Sequence, residues 1–434
     1  MKKKLTRRTF IKNSAGAGLG LAVAPMIIPS SAFGANDRIR AAVLGVNGRG
    51  KSHINGLMSQ ENVEVAVLCD PDANVSGERA KEFQEKYGKK VRTEQDLRRV
   101  FDDKNIDAIT IAMPNHWHAL ATIWACQAGK DVYVEKPGAH NIFEGRKMVE
   151  AARKYNRIVQ HGVQLRSSAA IREAIQHLRD GLIGNVYMAR GLVFRWRPDI
   201  GNHPNEPVPA GLDYDLWTGP AQMQPFTRNL VHYNWHWHWD YGNGDVGNQG
   251  IHETDLCMWG LDVGLPEKIT SMGGKFLWDD SKEVPEVQTS IYHYPKEKKM
   301  IQFEVRHWCT NLEDGAGVGN IFYGDKGYMV VKGYDHYETF LGREREPGPS
   351  SKAGGDHYKN FIECVRSRDR SKQNGPVETA HLSSALAHLG NIAYRLGRVL
   401  TFDPKTEKFI ADEEADRMLT RNYRAPFEVS ENGI

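Results

Sequence analysis

From Arg38 to Val163 the chain repeats one local unit, an apolar strand followed by a helix, and this repetition restricts the fold more than any single residue does. Arg38 to Leu44 reads as a strand, Gly45-Val46-Asn47-Gly48-Arg49-Gly50 as a tight turn, and Ser52 to Ser59 as a helix. Strands follow at Val63 to Leu68, Ala108 to Ala112, Asp131 to Val134 and Ile158 to Val163, with helices over Ala73 to Tyr87, Leu97 to Phe101, Ala119 to Ala128 and Ile142 to Tyr155. Strands in this order pair in parallel and need helices on both faces, so residues 36–165 are expected to form a doubly wound α/β domain.

After a helix at Ser168 to Asp180 the pattern changes to alternating strands at Val186 to Phe194, Val287 to His293, Met300 to Trp308, Asn320 to Tyr323 and Tyr328 to Val331. Residues 166–434 are therefore expected to form an α+β domain with a large, mostly antiparallel sheet. Pro198 to Trp239 is too long for a simple connection and too rich in tryptophan for disorder, which marks it as a functional loop. Two late helices, Asp356 to Arg366 and Glu378 to Arg398, are expected to pack at the domain junction.

The first 34 residues belong to neither domain: six basic residues and no acid precede an apolar run, Ala15 to Ile28, and a small-residue stretch. Thr6-Arg7-Arg8-Thr9-Phe10-Ile11-Lys12 resembles the twin-arginine export signal, which implies the twin-arginine translocation machinery as a partner, export in folded form and a periplasmic location. Without those six charges the formal net charge of +3 becomes −3, which removes the electrostatic case for a nucleic-acid partner. Cys69, Cys126, Cys257, Cys309 and Cys364 show no paired spacing and read as buried thiols.

Several polar residues fall where a parallel sheet opens onto its ligand, at the carboxyl ends of the strands. The glycine turn approximates a Rossmann dinucleotide loop: Gly45 and Gly50 hold the outer positions, Asn47 the middle one and Gly48 follows it, so Gly45, Asn47, Gly48, Arg49 and Gly50 are candidate cofactor contacts. Asp70 closes the second strand, where a carboxylate accepts from ribose hydroxyls and repels a 2′-phosphate, favouring NAD. Asn115 and His118 are placed to line the nicotinamide side, and Glu135-Lys136-Pro137 puts a cationic donor at the same edge.

Together the glycine loop, Pro114-Asn115 with His118, and Glu135-Lys136-Pro137 resemble the Gfo/Idh/MocA sugar oxidoreductases over essentially the whole mature chain. The resemblance implies an NAD cofactor, a carbohydrate substrate, a homo-oligomer built on the second sheet, and a helix bearing an acid and a histidine four residues apart that reach back to the lysine. Here His252 matches the histidine, but Asn248 stands in the acid position; the spacing puts both on one helix face. Asn248 takes no proton, which leaves His252 or Lys136 as the base. Gln164, Arg166, Arg195 and Trp196 are candidate substrate contacts, although an inter-domain salt bridge accounts equally well for either arginine. His236, His238 and Asp240 would share one face of an extended strand; with no fourth ligand identifiable, no metal is assigned and the His-Trp alternation reads as an aromatic platform for sugar faces. Three functions follow: a periplasmic dehydrogenase acting on a sugar or glycoside, at C3, with retained NAD; a redox-neutral glycosidase working by oxidation and elimination; and a non-catalytic sugar-binding protein.

Overall fold

The structure is a computed structural model that describes residues 38–308 and 311–430, so the signal-like segment and Cys309 lie outside the described residues. The alternation expected at the start is realised as β1 (Ile39–Leu44), α1 (Gly50–Met58), β2 (Val63–Cys69), α2 (Ala73–Tyr87), β3 (Arg92–Glu94), α3 (Leu97–Asp102), β4 (Ala108–Ile111), α4 (Asn115–Gln127), β5 (Asp131–Val134), α5 (Ile142–Lys154) and β6 (Val159–His161). Among the described residues these strands form a parallel sheet in the order β3-β2-β1-β4-β5-β6. The order reverses between β1 and β4, so the chain leaves Leu44 and Ile111 side by side in opposite directions and opens a crevice there.

β4 and β5 are buried along their whole length because helices cover both faces. Ala42 and Leu44 point into a core shared with Trp117, Leu120 and Met148 of α4 and α5. Ala41 and Val43 point the other way, against Ile54 and Leu57 of α1 and against Phe361, Ile362 and Val365, which arrive from far along the chain.

The second sheet is built from β7 (Val186–Phe194), which follows α6 (Ala169–Arg179), and from β8 to β16. Before β8 come α7 (Tyr214–Thr218), α8 (Gly244–Gly247) and α9 (Gly250–Leu261). The remaining strands are β8 (Lys268–Gly274), β9 (Val287–Tyr294), β10 (Lys299–Arg306), β11 (Val318–Gly324), β12 (Gly327–Lys332), β13 (His336–Leu341) and β14 (Glu346–Lys352). After α10 (His357–Ser367) and α11 (Val377–Leu396) come β15 (Leu400–Asp403) and β16 (Lys408–Phe409). Described strands run in the order β14-β13-β12-β11-β7-β10-β9-β8-β15-β16, antiparallel except where β10 pairs with β7. Helices α6, α9 and α11 pack on one face around Phe303, Phe322 and Tyr292.

α11 joins the two layers, since Val377 and Ala380 enter the core of the first sheet while Ala385, Leu386 and Leu389 enter that of the second. The Pro198 to Trp239 excursion carries only α7 and a 3-10 turn at Asn234–Trp237, yet it builds a small core of Leu212, Tyr214, Trp217, Phe226, Leu230 and Trp235, closed by Tyr241 just beyond it. Cys69, Cys126, Cys257 and Cys364 are free and buried.

Because Phe361 is fully buried against β1 from a helix more than 300 residues downstream, Phe361→Ala should cost about 3–5 kcal/mol of unfolding free energy. Denaturant titration checks this; a loss under about 1 kcal/mol would show that α10 is not part of the first core.

Candidate active site

Two glycines make the crevice usable. Gly45 leaves β1 at φ +78°, and a Cβ there would lie 2.6 Å from the Ala112 carbonyl oxygen at the end of β4. A Cβ on Gly50 would lie 2.0 Å from the Gly45 carbonyl oxygen, so the loop folds onto itself and delivers the N-terminal amides of α1 to the crevice. Nothing comes within 4 Å of the Cβ position of Gly48, which leaves room for a phosphate beside those amides. Arg79 of α2 holds the loop from below, donating from Nε to the Val46 carbonyl at 2.9 Å and from Nη2 to the Asn47 carbonyl at 3.3 Å. A helical arginine carries no sequence signal for that task.

Asp70 is buried beneath the same loop: Oδ2 accepts from the Val46 amide at 2.9 Å and Oδ1 from the Asp72 amide at 3.1 Å. Burial pushes its carboxyl up to about 6 against those two bonds. Each oxygen keeps a second acceptor site, so Asp70 both anchors the loop and presents acceptors for ribose hydroxyls.

At the end of β5 the buried Glu135 accepts through Oε1 from Arg49 Nε (2.7 Å) and Gln164 Nε2 (3.2 Å), and lies 3.1 Å from His53 Nε2. Burial raises the cost of its charge, but Arg49 and His53 outweigh it and hold the carboxyl well below its usual range. Next to it, past the cis Lys136–Pro137 peptide, Lys136 Nζ donates to the Asn248 backbone carbonyl at 2.7 Å and to Asn248 Oδ1 at 3.0 Å. Burial lowers the Lys136 pKa. His118 braces this turn, its ring nitrogens 2.5 Å from the Pro137 carbonyl and 2.7 Å from that of Met113.

The expected single helix face for Asn248 and His252 is not formed. α8 ends at Gly247, Asn248 takes φ −83° and ψ −81°, and α9 starts only at Gly250. The glycines permit the break: a Cβ on Gly250 would lie 2.4 Å from the Phe303 ring, so the chain runs too close to β10 for a regular turn with side chains. The break leaves the Asn248 carbonyl outside a helical ladder and available to Lys136. His252 lies in α9, 3% exposed, 4.9 Å from the ring of Tyr334, and burial followed by the Lys136 charge pushes its pKa down to about 3.

A cleft with ≈ 1130 Å³ of empty volume runs over this edge, and its wall includes Gly45, Asn47, Gly48, Arg49, Asp70, Asn115, His118, Glu135, Lys136, His236 and Asn248. Gly50 lies buried beneath it. The remaining candidates stand elsewhere. Gln164 sits behind Glu135, bonded also to the Tyr133 hydroxyl at 3.0 Å. Arg166 forks onto Asp255 at 2.7 and 3.0 Å with its guanidinium 4.6 Å from the Trp259 ring, a structural clamp in place of a substrate contact. Trp196 is 60% exposed and outside the cleft wall. Arg195 bonds Gln249 Oε1 at 2.8 Å. The extended strand expected at His236 to Asp240 is not formed: a 3-10 turn at Asn234–Trp237 stacks His236 on Trp235 at 3.6 Å, and beyond it His238 faces Glu283 at 3.5 Å outside the cleft wall. No group of three His, Cys, Asp or Glu side chains among the described residues is arranged to hold a metal ion.

The excursion closes the cleft as a strap. Gly211 O accepts from the Ala73 amide at 2.9 Å, the Asp213 amide donates to Pro71 O at 2.9 Å, Asn74 Nδ2 reaches Ala210 O at 2.8 Å, and His232 Nε2 stands 3.1 Å from Asp72 Oδ2. Trp217, His232, Tyr233 and Trp235 of the strap complete the wall. Residue patterning singled the segment out; which tryptophans turn inward depends on its own core and is invisible in sequence.

Residues 39–163 match the family model described as oxidoreductase family, NAD-binding Rossmann fold, and residues 185–271 and 347–429 match that of the same family's C-terminal α/β domain. The chain belongs to the Gfo/Idh/MocA oxidoreductase family. This family member is 27% identical over 209 residues to a glycosyl hydrolase family 109 protein of Saccharopolyspora erythraea, covering 43% of this chain and 45% of that protein. It is 32% identical over 137 residues to the levoglucosan dehydrogenase of Pseudarthrobacter phenanthrenivorans, 31% of this chain and 34% of the other. The matches thus span less than half the length of these curated relatives. Among solved structures, the WlbA dehydrogenase of Bordetella pertussis, determined with NADH and UDP-GlcNAcA, has the same fold: TM-score 0.63 at 21% identity, over 84% of this chain and 99% of that one.

Beside this site Glu253 is 2% exposed, and burial pushes its carboxyl up to about 8 although Gln249 Nε2 donates to Oε1 at 3.2 Å. A raised folded-state pKa contributes stability that is full below the unfolded value of about 4.5 and is lost as pH rises toward 8. Glu253→Gln keeps the acceptor and removes the titration. Between pH 5 and 8 the wild type should lose on the order of 3 kcal/mol relative to the variant, read from urea unfolding at both pH values.

Proposed function

We propose that this protein is an NAD-dependent sugar oxidoreductase that moves hydride between a pyranose carbinol carbon, at C3, and a nucleotide retained in the cleft. In this reading it works in the periplasm after folded export through the twin-arginine machinery. The observation that carries the proposal is Lys136: a half-buried ammonium at the edge of a dinucleotide cleft, aimed at the break between α8 and α9.

NAD, when bound, supplies the nicotinamide carbon that takes up or returns the hydride. Gly45, Gly48, Arg49 and the α1 amides hold its pyrophosphate, and Asp70 holds the ribose hydroxyls. Lys136 donates to the substrate oxygen and exchanges its proton; burial lowers its pKa toward the working range, which favours it over His252, held near 3, as the proton carrier. His252 remains neutral and hydrogen-bonds a substrate hydroxyl, while Asn248 orients the group that Lys136 addresses. His236 on Trp235, with Tyr233 beside it, offers an aromatic surface for the sugar ring. The helix-free face of the second sheet, where Tyr328 stacks on Phe340 at 4.9 Å, suits a homo-oligomer.

The strap supports retention, because bonds from residues 210–213 and 232 cross the cofactor-binding edge next to Asp70. Protein purified from cells should therefore carry NAD(H) that survives extensive dialysis, measured by absorbance after denaturation, and Asp72→Ala should release it at least about tenfold faster, since loosening the strap removes about 1.4 kcal/mol or more. Nucleotide lost from the wild type on dialysis would sink the retention claim.

Similarity to a glycosyl hydrolase family 109 protein favours one second reading, a redox-neutral glycosidase. There, oxidation at C3 acidifies the C2–H, elimination expels the aglycone, water adds, and the ketone is reduced back with no net NADH. Holoprotein incubated with free sugars and aryl glycosides, without added NAD, separates the cases. Net reduction of bound NAD without cleavage supports the dehydrogenase; aglycone release without NADH supports the glycosidase; neither, with no nucleotide present, leaves a binding protein. Lys136→Met should lower either turnover by about 10²–10⁴-fold with nucleotide content unchanged.

A further inference from the structure

Lys136 presents a problem of charge. Its half-buried ammonium is bonded to two neutral oxygens of Asn248, 2.7 and 3.0 Å away. Glu135, the adjacent acid, is already committed to Arg49 and His53. Behind Asn248 stands Asp245, 1% exposed, whose Oδ1 accepts from Asn248 Nδ2 at 3.3 Å. Arg197 forks onto Asp245 at 2.6 and 2.7 Å, and His307 Nε2 lies 3.3 Å from Oδ2. Arg197 itself is packed 5.3 Å from the Trp237 ring and reaches the hydroxyl of Tyr233, a cleft-wall residue, at 3.3 Å.

This arrangement fixes what is otherwise ambiguous in an amide. With an ammonium on one side and a carboxylate on the other, the Asn248 side chain has only one orientation that satisfies both: oxygen toward Lys136, nitrogen toward Asp245. We infer that Asp245 is the positioning residue of this site, holding the Asn248 amide with its oxygen on Lys136 and supplying the negative charge behind that contact. The inference deepens the proposal that Lys136 exchanges the proton and rests on that reading for its functional meaning, but not for its test.

The charges around the pair set the direction of the effect. Lys136 faces Glu135 and Arg49 from the first sheet's edge, Asp245 and Glu253 from α8 and α9, and His118, His236 and His252 around them. Asp245 faces Arg197, His307, His236 and Glu253. Removing the Asp245 charge takes an anion from Lys136 and leaves Arg197 unpaired, and both changes favour the uncharged amine. The pH at which Lys136 becomes reactive should fall.

Acetic anhydride labelling of Lys136 in the full-length protein, quantified by peptide mass spectrometry from pH 6 to 11, reads this without requiring turnover. In Asp245→Asn the labelling midpoint should drop by about one pH unit. Should that variant fail to fold because Arg197 is stranded, the double variant Asp245→Asn with Arg197→Gln replaces the buried ion pair by a neutral amide pair and should show a smaller fall in the same direction, since the stranded cation no longer contributes. In an Asn248→Asp background, where a carboxylate touches Lys136 directly, the Asp245 substitution should move the midpoint by less than half as much. An unchanged midpoint in both the single and the double variant overturns the role of Asp245. Absence of any sugar or glycoside turnover in the wild type would instead overturn the enzymatic reading and leave the titration result standing.

Discussion

A lysine ammonium half withdrawn from water must be given oxygens, and the way this chain provides them organises both layers of the molecule. Lys136 stands at the carboxyl end of β5, and its acceptors come from residue 248, at the foot of a helix on the second sheet. A continuous helix from 244 to 261 would commit the 248 carbonyl to its own ladder. The interruption between Gly247 and Gly250 frees it, and Gly250 at the start of α9 packs directly on Phe303 of β10. Lys136, the helix break and the core of the second sheet are thus one constraint seen from three sides. α11, with apolar residues in both cores, and the Arg166–Asp255 clamp hold the two sheets at the spacing the contact needs.

Around that centre the charges are arranged so that only one group remains available. Glu135 is ionised and fully engaged by Arg49, His53 and Gln164, so it sets the field without exchanging protons. His252, the residue that family resemblance assigns to the proton relay, is driven neutral by burial and by the lysine charge. Lys136 has its pKa lowered by burial, and the neighbouring acids limit the fall. In the proposed reaction the chemistry therefore converges on the lysine, with the histidine as a hydrogen-bonding partner.

Much of this was legible in the sequence because it is local. Ala73 to Tyr87, Asp131 to Val134 and Val186 to Phe194 have the bounds their apolar periodicity gives, and the glycine turn, Asp70 and Glu135-Lys136-Pro137 lie at one edge because parallel strands put them there. What was not legible depends on distant partners. Asn248 and His252 four residues apart read as one helix face, yet the chain leaves α8 at Gly247 and starts α9 only at Gly250. Trp196 looks like a ligand contact by position, yet it faces solvent, while of the two roles open to Arg166 the salt bridge is the one formed, to Asp255. β14, Glu346–Lys352, holds two prolines and a glycine and is formed only because an edge strand needs half its ladder bonds. The strap reads as a loop, and its inward tryptophans are chosen by a core it builds for itself.

The asparagine that departs from the family motif also follows from this packing. Asn248 Nδ2 lies 3.3 Å from Asp245 Oδ1 in a region where Asp245 is almost completely buried. A carboxylate at 248 would set two anions within hydrogen-bond distance, and at such separations in a dry site only one can ionise. The proton would then be shared between the two acids, and the group next to Lys136 would lose either its charge or its fixed orientation. An amide avoids the conflict, because it donates to one neighbour and accepts from the other, and it passes the influence of a charge locked by Arg197 and His307 to the lysine. On the proposed reading the acid is not missing from the site: it stands one turn back along the chain at Asp245, with Asn248 as the connection between it and Lys136.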